Sequence, residues 1–395
     1  MAAETAPAVH DSWSDVSELV TPYGYPLEEH FVTTRDGYIL RMFRIPRGAS
    51  EDPLGRNGSD ARPVVLLQHA LLDSCSGFLV LGPGKALALL LADAGYDVWM
   101  SNTRGNVHSR NHTSLSVKSQ EFWAFSFDEM AEYDLPDSLT YVLNATGQQQ
   151  ASLLGFSQGA TIVLTALASG AVNKSTVEAA VLVAPVAYMR HISSIPLQAL
   201  ATLGTDSVFS LLGVREFLPS APIVQMLEGA ICFLRPQLCL NILSAIAGFD
   251  EERVDPQALP AALRRTPAGT SVQNMAHWAQ CVRQTSPHVL AYFDYGATCG
   301  SGGRREGLPR CNRDKYGSDD VPTYDLSRAG AEVPLLVVSG SKDQLADAAD
   351  VDALVNTLRS AGGTSVQHSR VRGYEHLDFV WAERAPEVVY RGALA

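Results

Sequence analysis

The sequence has no long apolar run. None of its stretches reaches the ~20 residues that a membrane-spanning helix needs, and mean hydropathy is near zero. Positive charge is also short. Lys plus Arg total 30 against 42 Asp plus Glu, for a net charge of −12. That balance argues against a nucleic-acid partner and against an anionic membrane surface gripped by basic residues. Only six cysteines occur, at positions 75, 232, 239, 281, 299 and 311, and no two have C-x-x-C spacing. Zinc and dithiol redox sites are therefore without support. Cys232/Cys239 and Cys299/Cys311 are close enough in sequence to pair. Residues 1–20 are acidic and polar, with no basic segment ahead of an apolar one, so no secretory signal is read in them. There is no internal repeat and no low-complexity tract.

Apolar side chains, by contrast, are plentiful, at 46% against 18% charged. Such a chain buries a sizeable core and is not disordered. Its 395 residues suit two or three units of ~150, or one large α/β domain with an insertion. Four N-x-S/T sequons, at Asn57, Asn111, Asn144 and Asn173, lean towards the secretory pathway.

Residues 30–46 read as two strands about an Arg35-Asp36-Gly37 turn. Residues 47–62 are a polar loop. The continuous apolar run 63–71 reads as a strand covered on both faces. Lys85 to Ala94 is helical and stops at Gly95, and Tyr96 to Ser101 is a strand. Helical spacing over Phe127 to Leu143 is interrupted by Leu135-Pro136, which predicts a start or kink there. Then follow strand Ala151–Phe156, helix Gln158–Ser169 and strand Val177–Val186. After a gap come strand Pro334–Ser339, helix Val351–Ser360 and strand Val366–Val371. This alternation predicts a mostly parallel sheet with helices on both faces. Between 187 and 330 the rhythm is lost and the sequence turns helix-like, with loops near 250–270 and 296–325. The expected organisation is a core from 1–186 and 331–395 with a helical cap, 187–330, inserted between.

Gly155-Phe156-Ser157-Gln158-Gly159 joins an apolar strand to a helix. That is the setting of a nucleophile elbow, where a tight turn lifts the serine from the carboxyl end of the sheet. Gly155 and Gly159 carry no Cβ, so strand and helix can pack closely. A hydroxyl needs a base, and in this arrangement the chain order is serine, acid, histidine. His376 lies just after the last strand. Asp343 follows the penultimate one. Asp347 reads as a helix cap, Asp378 as structural, and His368 as a strand residue that packs or faces solvent. His277 and His288 fall in the cap. The oxyanion needs two N–H donors. Gln158, after the nucleophile, supplies one, and Leu71, in His69-Ala70-Leu71-Leu72 following VVLLQ, the other. Both act through backbone, which leaves their side chains replaceable.

These residues and their flanking blocks resemble the acid lipase family of gastric and lysosomal lipases and their plant and fungal relatives. The likeness runs from about residue 20 onward. It is carried by the opening GYPLEEHFVTTRDGYILRMFRIP, by His69-Ala70-Leu71-Leu72, by 98–110 and 122–136, and by the Gly155–Gly159 elbow. It continues through PAGTSVQNMAHWAQ (267–280), SGSKDQLADAADV (339–351) and YEHLDFVW (374–381). The resemblance implies an α/β-hydrolase fold with Ser157 as nucleophile, Asp343 as acid, His376 as base, and Leu71 and Gln158 at the oxyanion. It implies cleavage of triacylglycerol or sterol esters at a lipid–water interface, with no metal or organic cofactor. A secreted or lysosome-like location follows from the resemblance alone. A carboxylesterase for small soluble esters, an acyltransferase and a non-catalytic lipid-binding protein are the rival readings. Nothing in the sequence marks an oligomeric state. Three departures stand out: Ala70 replaces the usual glycine, Phe156 replaces the usual histidine, and 297–320 is longer than expected. Cys299 and Cys311 are placed to staple that last segment.

Overall fold

The computed structural model describes residues 12–50, 62–202, 215–217, 244, 247–250, 252–299 and 308–390. In chain order the strands are β1 (Glu28–Thr33), β2 (Tyr38–Ile45), β3 (Val64–Gln68), β4 (Asp97–Met100), β5 (Asn111–His112), β6 (Ala151–Phe156) and β7 (Val177–Val183). After them come β8 (Glu216–Phe217), β9 (Thr270–Ser271), β10 (Leu335–Gly340) and β11 (Val366–Val371). Among the described residues, one sheet follows the order β1-β2-β4-β3-β6-β7-β10-β11, with β5 beside β2. The six strands from β4 to β11 run parallel. At the other edge β1 and β2 form an antiparallel hairpin. Its turn carries Gly37 at φ +100°, a conformation that the predicted Asp-Gly turn supplies. β8 and β9 form a separate ribbon.

The parallel strands read as apolar runs because both faces are covered. All five β3 residues and all four β4 residues are buried. Parallel crossovers are right-handed. The connection from β3 to β4 steps one way along the sheet, whereas those into β6, β7 and β11 step the other way. Helix Leu87–Asp93 therefore lies on one face, and helices Leu135–Thr146, Gln158–Ser169 and Ala348–Ser360 lie on the opposite one. The reversal leaves a crevice beyond the carboxyl ends of β3 and β6, the usual place for a site in such sheets.

Several ends differ from the sequence reading. β7 stops at Val183, not Val186, because Ala184 turns the chain at φ +47° and Pro185 has no N–H to continue the ladder. Helix Ala348–Ser360 starts three residues before Val351, capped by Asp347 Oδ1, which accepts the Ala349 N–H at 2.8 Å. The interruption near Pro136 is present as a π-helical segment, Met130–Asp134, between Phe127–Glu129 and Leu135–Thr146. A helix, Leu259–Arg265, occupies part of the expected 250–270 loop. Pro260 at its first turn and two following alanines favour it. Cys299 and Cys311 form a disulfide with Cα atoms 4.9 Å apart. The Cys232/Cys239 pair lies outside the described residues.

Candidate active site

Ser157 sits between β6 and helix Gln158–Ser169, with φ +55° and ψ −120°. A serine is strained there, at a cost of order 1–3 kcal/mol. The surrounding packing holds it. The Ser157 N–H donates to Val183 O at 2.9 Å. A Cβ on Gly159 would lie 2.1 Å from the Gln68 carbonyl oxygen and 2.7 Å from that of His69. Only glycine lets the helix start press against the end of β3. The elbow and the loop after β3 are thereby brought together in the crevice.

His376 arrives on the loop after β11. Its Nε2 is 2.8 Å from Ser157 Oγ, and its Nδ1 is 2.9 and 3.0 Å from the two carboxylate oxygens of Asp343. All three residues are buried. Asp343, after β10, is itself held by the N–H groups of Leu345 and Ala346, each 2.9 Å from Oδ1. The three residues selected from the sequence therefore form one hydrogen-bonded chain. The rejected candidates do other things. Asp347 caps a helix. Asp378 accepts the N–H groups of Asp250 and Glu375. His368 Nε2 meets Ser339 Oγ within the sheet at 2.8 Å.

The Leu71 and Gln158 N–H groups make no hydrogen bond to another described residue. His69 sets the first of them. Its Nε2 accepts the Thr103 N–H at 3.0 Å, so the ring proton resides on Nδ1, 2.8 Å from the Ala70 carbonyl oxygen. Burial pushes this ring down to about 4, so it stays neutral. A trans peptide points its N–H opposite its C=O, so fixing the Ala70 carbonyl fixes the Leu71 N–H as well. Ala70 itself needs no glycine: positive φ falls two residues on, at Leu72, with φ +59°.

Two features escaped sequence reasoning. Phe156 stacks on the His376 ring, with centroids 5.4 Å apart and planes at 30°. The Gln158 side chain is not free either. Its Oε1 accepts Trp278 Nε1–H at 2.7 Å and Asn274 Nδ2–H at 2.8 Å. Both donors fall in the PAGTSVQNMAHWAQ block, but only the block's presence, not a role for any residue in it, was legible.

Comparison with known proteins agrees with the sequence resemblance. Residues 16–82 match the family described as "Partial alpha/beta-hydrolase lipase region", and 63–205 match "alpha/beta hydrolase fold". The chain is 38% identical to gastric triacylglycerol lipase of Bos taurus over 378 residues, covering 95% of this chain and 89% of that one. It is also 38% identical to the lysosomal acid lipase/cholesteryl ester hydrolase of Homo sapiens, covering 95% and 88%. Among solved structures, a carboxylesterase of Bacillus subtilis superposes with TM-score 0.50 at 14% identity, covering 97% and 95%. That likeness speaks for the fold alone. The identity to the lipases, sustained across nearly the whole length, places this chain in the acid lipase family of the α/β-hydrolase fold.

Proposed function

We propose that the protein hydrolyses neutral lipid esters, triacylglycerol or sterol ester, through an acyl-enzyme on Ser157. The observation that carries this reading is the 2.8 Å contact between His376 Nε2 and Ser157 Oγ, backed by Asp343 on the other ring nitrogen. Relatives named as triacylglycerol lipase and cholesteryl ester hydrolase support the substrate class. His376 takes the Ser157 proton as Oγ bonds to the ester carbonyl carbon. Asp343 keeps the ring oriented and offsets its positive charge. The developing oxyanion is met by the Leu71 and Gln158 N–H groups. The carbonyl then re-forms, and the alcohol leaves with the proton from Nε2. Water repeats the sequence, its proton going to Nε2, and frees the fatty acid as Oγ regains a hydrogen.

The stretch 187–330 is read here as the cap over this site. In support, the Leu377 N–H donates to Gly248 O and the Ser193 N–H to Gln344 O, each at 3.0 Å. Parts of the stretch thus lie on the loops that bring His376 and Asp343. Among the described residues no helix is long and apolar enough to cross a membrane. The test is an acyl-chain-length profile of the wild type beside Ser157→Ala. Turnover of emulsified long-chain esters by the wild type, with a loss of about 10³-fold or more in the variant, is expected. Activity confined to short soluble esters would overturn the lipid substrate. Activity retained in the variant would overturn the serine mechanism.

A further inference from the structure

The Gln158 side chain is buried and points away from Ser157 chemistry into the inserted stretch. Its carboxamide oxygen takes two donors, Trp278 Nε1–H at 2.7 Å and Asn274 Nδ2–H at 2.8 Å. Among the described residues its Nε2 meets only the weakly accepting sulfur of Met130, at 3.7 Å. The anchoring is therefore on Oε1 and comes from one helix, Val272–Arg283. Asn274 is fully buried and Trp278 nearly so. Asn274 is held in turn by Thr270 Oγ1, which its Nδ2 reaches at 3.1 Å, and its N–H donates to Ser271 Oγ at 2.9 Å. Ser271 Oγ–H donates to the Phe125 carbonyl at 2.5 Å, which pins the start of this helix to the core. The Trp278 ring packs 4.8 Å from that of Phe127.

Gln158 is the first residue of its helix, so its N–H has no carbonyl one turn back to bond. On the chain side its orientation is set by the strained Ser157. The Ser157 carbonyl, which shares a peptide with the Gln158 N–H, accepts the Ala160 and Thr161 N–H groups at 2.9 and 3.1 Å, and the side chain adds a fixed point outside the helix. A buried carboxamide left unpaired is costly, so the two donors hold Gln158 in one rotamer and one backbone orientation. On the hydrolase reading above, we propose that Trp278 and Asn274 are positioning residues for the oxyanion hole. They set the Gln158 N–H through its carboxamide, so the hole is complete only when helix Val272–Arg283 is docked. Neither residue touches the reacting atoms. The bland alternative is that the Gln158 side chain merely fills space against Trp278.

Trp278→Phe keeps the ring and removes the donor, and Gln158→Met removes the acceptor at similar length. The experiment measures kcat and KM on p-nitrophenyl butyrate, melting temperature, and inhibition by an alkyl trifluoromethyl ketone beside its methyl ketone. The fluorinated compound forms an oxyanion at the serine and the other does so poorly. Removing an oxyanion donor outright costs 10²–10³ in kcat; misaligning one is expected to cost about 10-fold. Each single variant should lose that factor in kcat with KM within about twofold. Each should weaken the trifluoromethyl ketone by the same factor and spare the methyl ketone. The double variant should be no worse than Gln158→Met, because both changes cut one contact. Wild-type kcat and ketone selectivity in Trp278→Phe would overturn the proposal. So would effects that multiply in the double variant, or losses that follow melting temperature and leave the ketone ratio unchanged. A Ser157→Ala control run alongside separates this from failure of the hydrolase reading, which would appear as turnover that survives without the serine.

Discussion

A single hydroxyl, Ser157, is held in a backbone conformation that few serines adopt, and the neighbour that permits it is Gly159. The space for a Cβ there is already filled by the carbonyl oxygens of Gln68 and His69. These are backbone atoms, so neither can swing aside. Gly159→Ala should push the helix start off β3, cost about 1–3 kcal/mol of stability, and lower ester hydrolysis at least 100-fold. Denaturant unfolding and kcat/KM on a soluble ester measure the two effects, and an unchanged rate would contradict the close approach. At this scale the sequence was most informative about types of residue. The elbow, the acid after one strand and the base after the next were each legible from local context. The use of the Gln158 carboxamide was not, because its partner Trp278 lies 120 residues away. No local spacing encodes such a contact.

Elements were legible where periodicity was strong. Helix Gln158–Ser169 and strands β6 and β11 have the ends read from the sequence. Ends set by one residue were missed, as where Ala184 stops β7. The π-helical segment Met130–Asp134 shows what an element owes to distant partners. Asp134 from its last position accepts Arg104 Nε–H at 2.8 Å. The same guanidinium spans to Asp36 in the β1–β2 turn at 2.6 and 2.9 Å and lies 3.9 Å over the Tyr38 ring. Arg104 is only 1% exposed. Burial pushes the Asp36 carboxyl up, yet Arg104 overrides it and the net direction is down. Burial wins at Asp134, which rises to about 6 despite its partner. This one side chain ties hairpin, β4 loop and π-helical segment together. Arg104→Met strands one buried carboxylate, Asp134, and one part-buried, Asp36, and should cost about 3 kcal/mol at pH 7, read from the urea midpoint. Adding Asp134→Asn should recover part of that loss, and a midpoint unmoved by Arg104→Met would refute the tie.

The molecule as a whole carries buried histidines whose charge state couples folding to pH. His108 is the clearest. Neither ring nitrogen has a hydrogen-bond partner among the described residues. Burial, reinforced by Arg41, His69 and Arg265, pushes the ring down from 6.5 to about 3; the facing carboxylate of Asp15 is 4.0 Å away. The unfolded chain takes up this proton below about 6.5 and the folded one does not, so the group costs stability as pH falls from 6.5 towards 3. At pH 4 the cost is about 3 kcal/mol. His108→Phe should therefore narrow the stability gap between pH 7 and pH 4 by about that amount, seen as the difference in unfolding free energy at the two pH values. An identical gap in wild type and variant would contradict a neutral buried ring. Sequence by itself determined the order of strands and helices, the elbow, and which serine, aspartate and histidine to examine, because apolar periodicity, glycine and proline act on the chain within a few residues. Only the tertiary structure decided that His376 reaches across 219 residues to Ser157, that Phe156 lies against its ring, and that a distant helix grips Gln158. Such meetings depend on how the sheet reverses its strand order and on which faces then pack, and the free energy of that packing is shared among residues that no local pattern joins.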